Sequence, residues 1–140
     1  MSTNKNMQAA KKAKNDEFYT AISDIEAKVK NYWEQLKGEV VYCPCDDYRW
    51  SKFVEYFKTN FSKIGLKKLI ATNYDIGDGA WKYTYDGISE TIEQLKGNGD
   101  FESEECTKIK NSEATIIITN PPFSKFRTFF KWLYDEDKNT

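Results

Sequence analysis

Apolar residues at helical spacing mark two stretches in the first half of the chain. In residues 16–37 they recur at steps of three and four, which predicts an amphipathic helix that ends at Gly38. The apolar positions are Ile22, Ile25, Val29, Trp33 and Leu36. Residues 48–64 repeat the pattern and predict a second helix, which Gly65 terminates. Its buried face is predicted to consist of Phe53, Val54, Phe57, Phe61 and Ile64.

Short runs rich in β-branched residues predict strands between and after these helices. Three such runs occupy residues 39–43, 68–73 and 114–119. The last of them, ATIIIT, is as apolar as expected of a strand covered on both faces. Alternation on both sides of Asp86-Gly87 predicts a β-hairpin over residues 81–95. Two further helices are predicted over residues 103–110 and 125–134, and Ser124 is the predicted N-cap of the second.

Strands alternate with helices along the chain, so the predicted fold class is α/β with a mainly parallel sheet. Ligands of such sheets bind in the loops that leave the carboxyl ends of the strands. The loops at these positions are residues 44–47, 73–75 and 120–123. The predicted organisation is a flexible N-terminus (1–13), one domain (14–134) and a polar tail (135–140).

Composition narrows the class of protein. With 140 residues, of which 39% are hydrophobic, the chain can build the core of one domain. A net charge of -1 argues against a nonspecific nucleic-acid binder, which would be basic. Two local groups of basic residues are interpreted, from their charge alone, as solvent-exposed faces. They are Lys11, Lys12 and Lys14, and Lys125, Arg127 and Lys131.

Several kinds of site are excluded by residue type. The chain has no histidine, which excludes Ser-His-Asp catalysis and every zinc site that needs imidazole. Its cysteines (Cys43, Cys45 and Cys106) form neither a disulfide framework nor a metal site. The N-terminus lacks the apolar core of a signal peptide, and the aliphatic run at residues 116–118 is too short to cross a bilayer. We therefore expect a cytoplasmic protein without a membrane or metal partner.

The most specific motif is Asn120-Pro121-Pro122-Phe123, directly after the third apolar run. The exocyclic amine of adenine is a poor nucleophile, so its methylation needs acceptors for both N–H groups and a fixed geometry. The amide oxygen of Asn120 and the carbonyl of Pro121 are suitable acceptors, and consecutive prolines hold that backbone rigidly. Phe123 offers a face on which a base flipped out of duplex DNA can stack. The same residues are also compatible with a turn before a capped helix.

Three further motifs precede this one. They are KNDEFYT at residues 14–20, VYCPCDD at residues 41–47 and GDF at residues 99–101. In this order, and followed by NPPFS at residues 120–124, they resemble the EcoRI-type adenine-specific DNA methyltransferases, with a likeness that runs from Lys14 to Arg127. The resemblance implies a Rossmann-like, S-adenosylmethionine-dependent methyltransferase fold. It also implies that this chain contains only part of that fold, since such enzymes continue with further strands and a DNA-reading region.

The resemblance places two segments around the methionine end of S-adenosylmethionine. They consist of Phe18, Tyr19 and Thr20, and of Pro44, Cys45 and Asp46. Taken without the resemblance, Phe18 and Tyr19 are equally compatible with a helix core, and Cys43 with strand packing. Asp46 or Asp47 could likewise be the N-cap of the next helix.

The adenosine end of the cofactor is assigned in the same way. The resemblance implies that Asp100 accepts the amino group of the adenine and that Phe101 stacks on its ring. Asp75 is positioned to hold the ribose hydroxyls, with Asn73 or Tyr74 as alternatives. On its own, Asp100 could be a turn residue.

These observations predict that the protein methylates adenine in double-stranded DNA with S-adenosylmethionine as the methyl donor. The chain is predicted to be truncated or split. A second polypeptide that supplies the C-terminal half, or a homodimer through the edge at residues 114–119, would complete it. The main alternative is a non-catalytic remnant that binds the cofactor or a protein. Methylation of RNA or protein uses similar loops and stays open.

Overall fold

The structure is a computed structural model, and it describes residues 21–135. The helices are α1 (21–29), α2 (Trp33–Leu36), α3 (Lys52–Thr59), α4 (Phe61–Ile64), α5 (Glu104–Ser112) and α6 (Phe126–Tyr134). The strands are β1 (Val40–Cys43), β2 (Lys68–Thr72), β3 (Trp81–Tyr85), β4 (Glu90–Gln94) and β5 (Ile116–Ile117). Two 3-10 turns cover Lys30–Tyr32 and Phe123–Lys125. Every predicted element within the described residues is present with shifted bounds, but the 3-10 turn at Lys30–Tyr32 interrupts the helix predicted over residues 16–37.

The sheet is mixed rather than mainly parallel. Its order is β4-β3-β2-β1-β5, with β1 parallel to both β2 and β5 and with the hairpin β3–β4 added antiparallel to β2. The prediction of a mainly parallel sheet was therefore wrong. A parallel crossover needs about a dozen residues or more, and the loop of residues 73–80 between β2 and β3 is shorter than that. The chain can only turn back along the edge of β2.

Strand β1 is the centre of the fold because both of its faces are covered. Val41 and Cys43 point to a core shared with α2, α3 and α4, while Val40 and Tyr42 point to a second core. The second core contains Ile109 of α5 and Phe129 and Trp132 of α6. This two-sided burial explains why β1 consists of consecutive apolar residues.

The predicted helix over residues 48–64 is divided in two. The backbone carbonyl of Asp47 accepts from the N–H groups of Trp50 and Ser51, so the chain first makes a turn and α3 begins later than predicted. Ser51 caps α3 by accepting from the N–H of Val54. Asn60 separates α3 from α4, and Gly65 ends α4 in the left-handed conformation, as predicted.

Strand β5 is shorter and less covered than the sequence predicts. Only Ile116–Ile117 is regular strand, although the N–H groups of Thr115 and Ile118 still donate to the carbonyls of Val40 and Tyr42 in β1. The isoleucines are half-buried, because no described strand lies on the outer side of β5. The predicted N-cap role of Ser124 was also wrong. A 3-10 turn occupies that position, and α6 begins at Phe126 without a side-chain cap.

No helix among residues 21–135 is long and apolar enough to cross a membrane.

Candidate functional site

An open cavity of about 510 Å³ lies at the carboxyl ends of the parallel strands. Its wall comes from the loop after β1 (Pro44, Cys45, Asp47, Trp50), the loop after β2 (Asn73, Tyr74, Ile76), the turn before α5 (Gly99, Asp100, Phe101) and the loop after β5 (Pro122, Ser124, Lys125). Such a volume is in the range of small-molecule sites, about 300–1,000 Å³. The three loops that the sequence identified as candidates therefore meet at one edge of the sheet.

Asp100 is held in the wall of this cavity by its own backbone. Its N–H donates to the side-chain oxygen of Asn98, and its carbonyl accepts from the N–H of Ser103, the N-cap of α5. The carboxylate is partly exposed and lies 3.8 Å from the ammonium group of Lys125. An acceptor group thus faces the cavity with a cation from the loop after β5 beside it.

Phe101 lines the cavity but is mostly built into the second core. Its side chain is 3% exposed, and its ring meets those of Phe129 and Trp132 edge-on at centroid distances of 5.2 and 5.3 Å. The packing fixes the ring rigidly and leaves a small part of it on the cavity wall.

The loop after β2 is organised by Asn73. Its side chain accepts from the N–H of Trp81 and donates to the carbonyls of Tyr74 and Gly79, so its polar atoms are already used. Asp75 does not line the cavity, and its carboxylate instead accepts from the N–H groups of Gly77 and Gly79. These bonds lower the pKa of Asp75 below its ordinary value. Tyr74 and Ile76 of this loop both lie on the wall with exposed side chains, and of the two only Tyr74 carries a polar group.

Asp46 points away from the large cavity. It is buried, and its carboxylate accepts from the hydroxyl groups of Ser51 and Thr119 and from the N–H of Asn120. Burial raises the pKa of Asp46, while these hydrogen bonds act in the opposite direction.

A second, open cavity of about 410 Å³ lies on the other side of Asp46. It is lined by Asn120 of the Asn-Pro-Pro-Phe motif and by Trp50, which also lines the large cavity. The remaining wall comes from α1 and from the start of α3, through Ala21, Asp24, Ile25, Ser51, Lys52 and Phe53. Pro121 is half-buried, whereas Phe123 is 83% exposed. The motif therefore contributes Asn120 to the wall of the smaller cavity and Pro122 to the wall of the larger one, with the uncovered ring of Phe123 next to Pro122 in the chain.

The thiols near the site are protonated at neutral pH. Burial and the nearby carboxylate of Asp46 raise the pKa of Cys45 to about 12, and burial raises the pKa of Cys43 as well. A thiolate nucleophile is thus not available on this loop. In residues 21–135 no group of three or more acidic, cysteine or histidine side chains is arranged to hold a metal ion.

Sequence reasoning missed two wall residues, Trp50 and Ile76. Trp50 is 55% exposed and stacks under the guanidinium of Arg49, which is itself paired with Asp47. Both residues look like ordinary surface positions until the loops after β1 and β2 are brought together. The predicted methionine-end residues Phe18, Tyr19 and Thr20 lie outside the described residues, immediately before Ala21 of the second cavity.

Comparison with known proteins identifies related sequences. The type II methyltransferase M.MgeORF184P of Mycoplasma genitalium is 44% identical over 129 residues, which cover 92% of this chain and 40% of that protein. M.EcoRI of Escherichia coli is 40% identical over 157 aligned positions, which cover 98% of this chain and 47% of that protein. M.MpnI of Mycoplasma pneumoniae is 40% identical over 129 residues, which cover 92% of this chain and 40% of that protein.

The chain thus spans less than half the length of these relatives. No solved structure matches it. The profile of the family described as "Adenine-specific methyltransferase EcoRI" matches residues 6–86 and 77–140, so almost the whole chain is covered. The chain therefore belongs to the EcoRI family of adenine-specific methyltransferases.

Proposed function

We propose that this chain forms the cofactor-binding and catalytic part of an S-adenosylmethionine-dependent DNA methyltransferase that acts on the exocyclic amine of adenine. The observation that carries the proposal is that two cavities share the loop after β1 as part of their walls. The larger cavity collects Pro44, Cys45, Asp100 and Phe101, and the smaller one carries Asn120. A cofactor site and an amine-acceptor site are thereby adjacent.

The residues of the larger cavity fit the adenosyl part of the cofactor. The Asp100 carboxylate can accept from an adenine amino group, and the rigid wall at Phe101 suits a flat ring. Because Gly99 has no side chain, its backbone can lie close to the loop after β2. A Cβ at this position would be only 1.9 Å from the carbonyl oxygen of Asn73. We assign the ribose hydroxyls to Tyr74 instead of Asp75, because Tyr74 lines this cavity and Asp75 does not. When bound, the cofactor supplies an activated methyl group.

The chain's own residues would prepare the acceptor amine. The Asn120 side chain accepts one N–H of the adenine amino group, and the carbonyl of Pro121 accepts the other, which favours a tetrahedral nitrogen. Phe123, largely exposed beside Phe126, provides the face on which the flipped base stacks. Lys125 and Arg127 follow this loop directly and can contact DNA phosphates.

Binding of the cofactor can be tested by calorimetric titration of the chain with S-adenosylmethionine and with its demethylated product. We expect Asp100→Ala to weaken binding by about 1.5–3 kcal/mol, because it removes a charged hydrogen-bond acceptor. Glu93→Ala is the control, since Glu93 lies on β4, which contributes no residue to either cavity. Absence of heat with either ligand, on a folded sample, would refute the proposed cofactor.

We further propose that catalysis requires more than residues 1–140, supplied by sequence equivalent to the rest of the relatives, in the same or a second polypeptide, or by self-association. The half-buried isoleucines of the β5 edge and the exposed rings of Phe126 and Phe130 on α6 form the surface it would cover. The expected result is that the isolated chain binds cofactor but transfers methyl groups to duplex DNA weakly or not at all. Sedimentation that shows a stable monomer at about ten micromolar or more, together with efficient methylation by that monomer, would contradict this.

A further inference from the structure

The carboxylate of Asp46 connects the loop after β1 with the start of the Asn-Pro-Pro-Phe loop. Its side chain accepts from the hydroxyl of Ser51 at 2.8 Å, from the hydroxyl of Thr119, and from the N–H of Asn120 at 3.4 Å. The residue is 7% exposed, and Thr119 is 73 positions away along the chain. Hydrogen bonds to a buried carboxylate are stronger than those to an exposed one, and several donors together fix its orientation.

Each partner of Asp46 is itself fixed to the scaffold. Ser51 accepts from the N–H of Val54 and so belongs to the N-terminus of α3. The hydroxyl of Thr119 accepts from the N–H of Cys45 at 2.9 Å, and the N–H of Asp46 donates to the carbonyl of Thr72 at 3.1 Å. The carboxylate is therefore held relative to β1, β2 and α3, and it transmits that position to residues 119 and 120.

The direction of the Asp46 side chain separates its role from that of its neighbours. Pro44, Cys45 and Asp47 all line the larger cavity, whereas Asp46 lines only the smaller cavity, together with Asn120. The carboxylate therefore faces the catalytic loop and not the volume assigned to the adenosyl group.

We propose that Asp46 is a positioning residue that fixes Asn120, through Thr119 and the backbone N–H of residue 120, in the place where it meets the acceptor amine. The inference rests on the proposed function, because it assigns to Asn120 the contact with the substrate. Displacement of a catalytic group by about 1 Å can cost about a hundredfold in rate, so loss of this anchor acts on turnover rather than on cofactor affinity.

The anchor can be examined first without any methylation assay. Amide hydrogen exchange of the isolated chain is compared for the parent protein, Asp46→Asn, Thr119→Val and Thr119→Ser. We expect the amide of Asn120, which donates to Asp46, to exchange about tenfold faster in Asp46→Asn and Thr119→Val, because each variant loses a hydrogen bond that holds the loop. Amides of β1 and β2 should keep their protection, and Thr119→Ser should behave like the parent chain. Unchanged exchange in Thr119→Val overturns the inference.

The second measurement separates positioning from cofactor binding. In a methylating assembly that contains this chain, Thr119→Val and Asp46→Asn should lower kcat by about a hundredfold at saturating cofactor, with the Kd for S-adenosylmethionine within about threefold of the parent value. Thr119→Ser, which keeps the hydroxyl, should recover at least about tenfold in kcat over Thr119→Val. Asp86→Asn is the matched control, because Asp86 also accepts from backbone N–H groups but lies in the β3–β4 turn.

The possible outcomes decide the question. A fall in cofactor affinity that accounts for the lost rate would show that Asp46 is a cofactor ligand and would overturn the inference. If Asp46→Asn does not fold, the Thr119→Val and Thr119→Ser pair still carries both measurements. If no methylation is found for any assembly, the proposed function fails, while the exchange experiment still decides whether Asp46 anchors the loop.

Discussion

Replacement of Asn120 by alanine is expected to lower methyl transfer by about a hundredfold or more while cofactor affinity stays nearly unchanged. The side chain is exposed at the smaller cavity, and it does not line the larger one. Its backbone N–H is bound to the buried carboxylate of Asp46, so the loop keeps its position when the amide is removed. What is lost is one preorganised acceptor for an N–H of the substrate amine.

The measurement is single-turnover transfer of a labelled methyl group at saturating cofactor, with the same assembly for parent and variant. Asn111→Ala serves as the control, because Asn111 is an exposed asparagine of α5 that lines neither cavity. A variant that loses cofactor affinity but keeps its turnover at saturation would show that Asn120 belongs to the cofactor site instead.

The order of elements could be predicted because local signals dominate it. Period-2 and period-3.6 patterns and the helix-ending glycines at residues 38 and 65 all depend on neighbouring positions in the sequence. The prediction of a mainly parallel sheet was wrong because the direction of β3 relative to β2 is not a local property. That direction depends on the length of the connection after β2, which is too short for a crossover helix, and a pattern of alternating residues contains no information about strand direction.

The loops of the candidate site could also be predicted, since the ends of parallel strands meet at one edge. The directions of individual side chains could not. Phe101 is drawn into the core by Phe129 and Trp132, and Asp46 is turned towards Thr119, in both cases by partners distant in sequence. The carboxylate of Asp75 accepts hydrogen bonds from Gly77 and Gly79 of its own loop and so does not face the cavity. These contacts follow from packing and hydrogen bonding in the folded chain.

Substitution of Gly99 by alanine is expected to have the largest effect on the integrity of the proposed cofactor site. Gly99 has a φ of +76°, and a Cβ there would lie 1.9 Å from the carbonyl oxygen of Asn73 and 2.7 Å from the Cβ of Ala80. The left-handed conformation costs about 1–2 kcal/mol for an ordinary residue. The overlap adds about 1–3 kcal/mol, because the loop after β2 must move away from Gly99. Both Gly99 and Asn73 line the larger cavity, so the same movement deforms its wall.

Gly38→Ala separates the cost of the left-handed backbone conformation from the cost of the steric overlap. Gly38 has a φ of +77°, nearly the same as Gly99, but a Cβ at Gly38 would meet no atom within 4 Å. Denaturant unfolding of both variants should therefore show the conformational cost in each and the additional loss only in Gly99→Ala. Titration with S-adenosylmethionine should show parent-like affinity for Gly38→Ala and about a hundredfold weaker binding, or none, for Gly99→Ala. Equal stability of the two variants with unchanged cofactor affinity in Gly99→Ala would mean that the turn before α5 does not approach β2 as closely as the structure indicates. In that case the larger cavity would have a different wall.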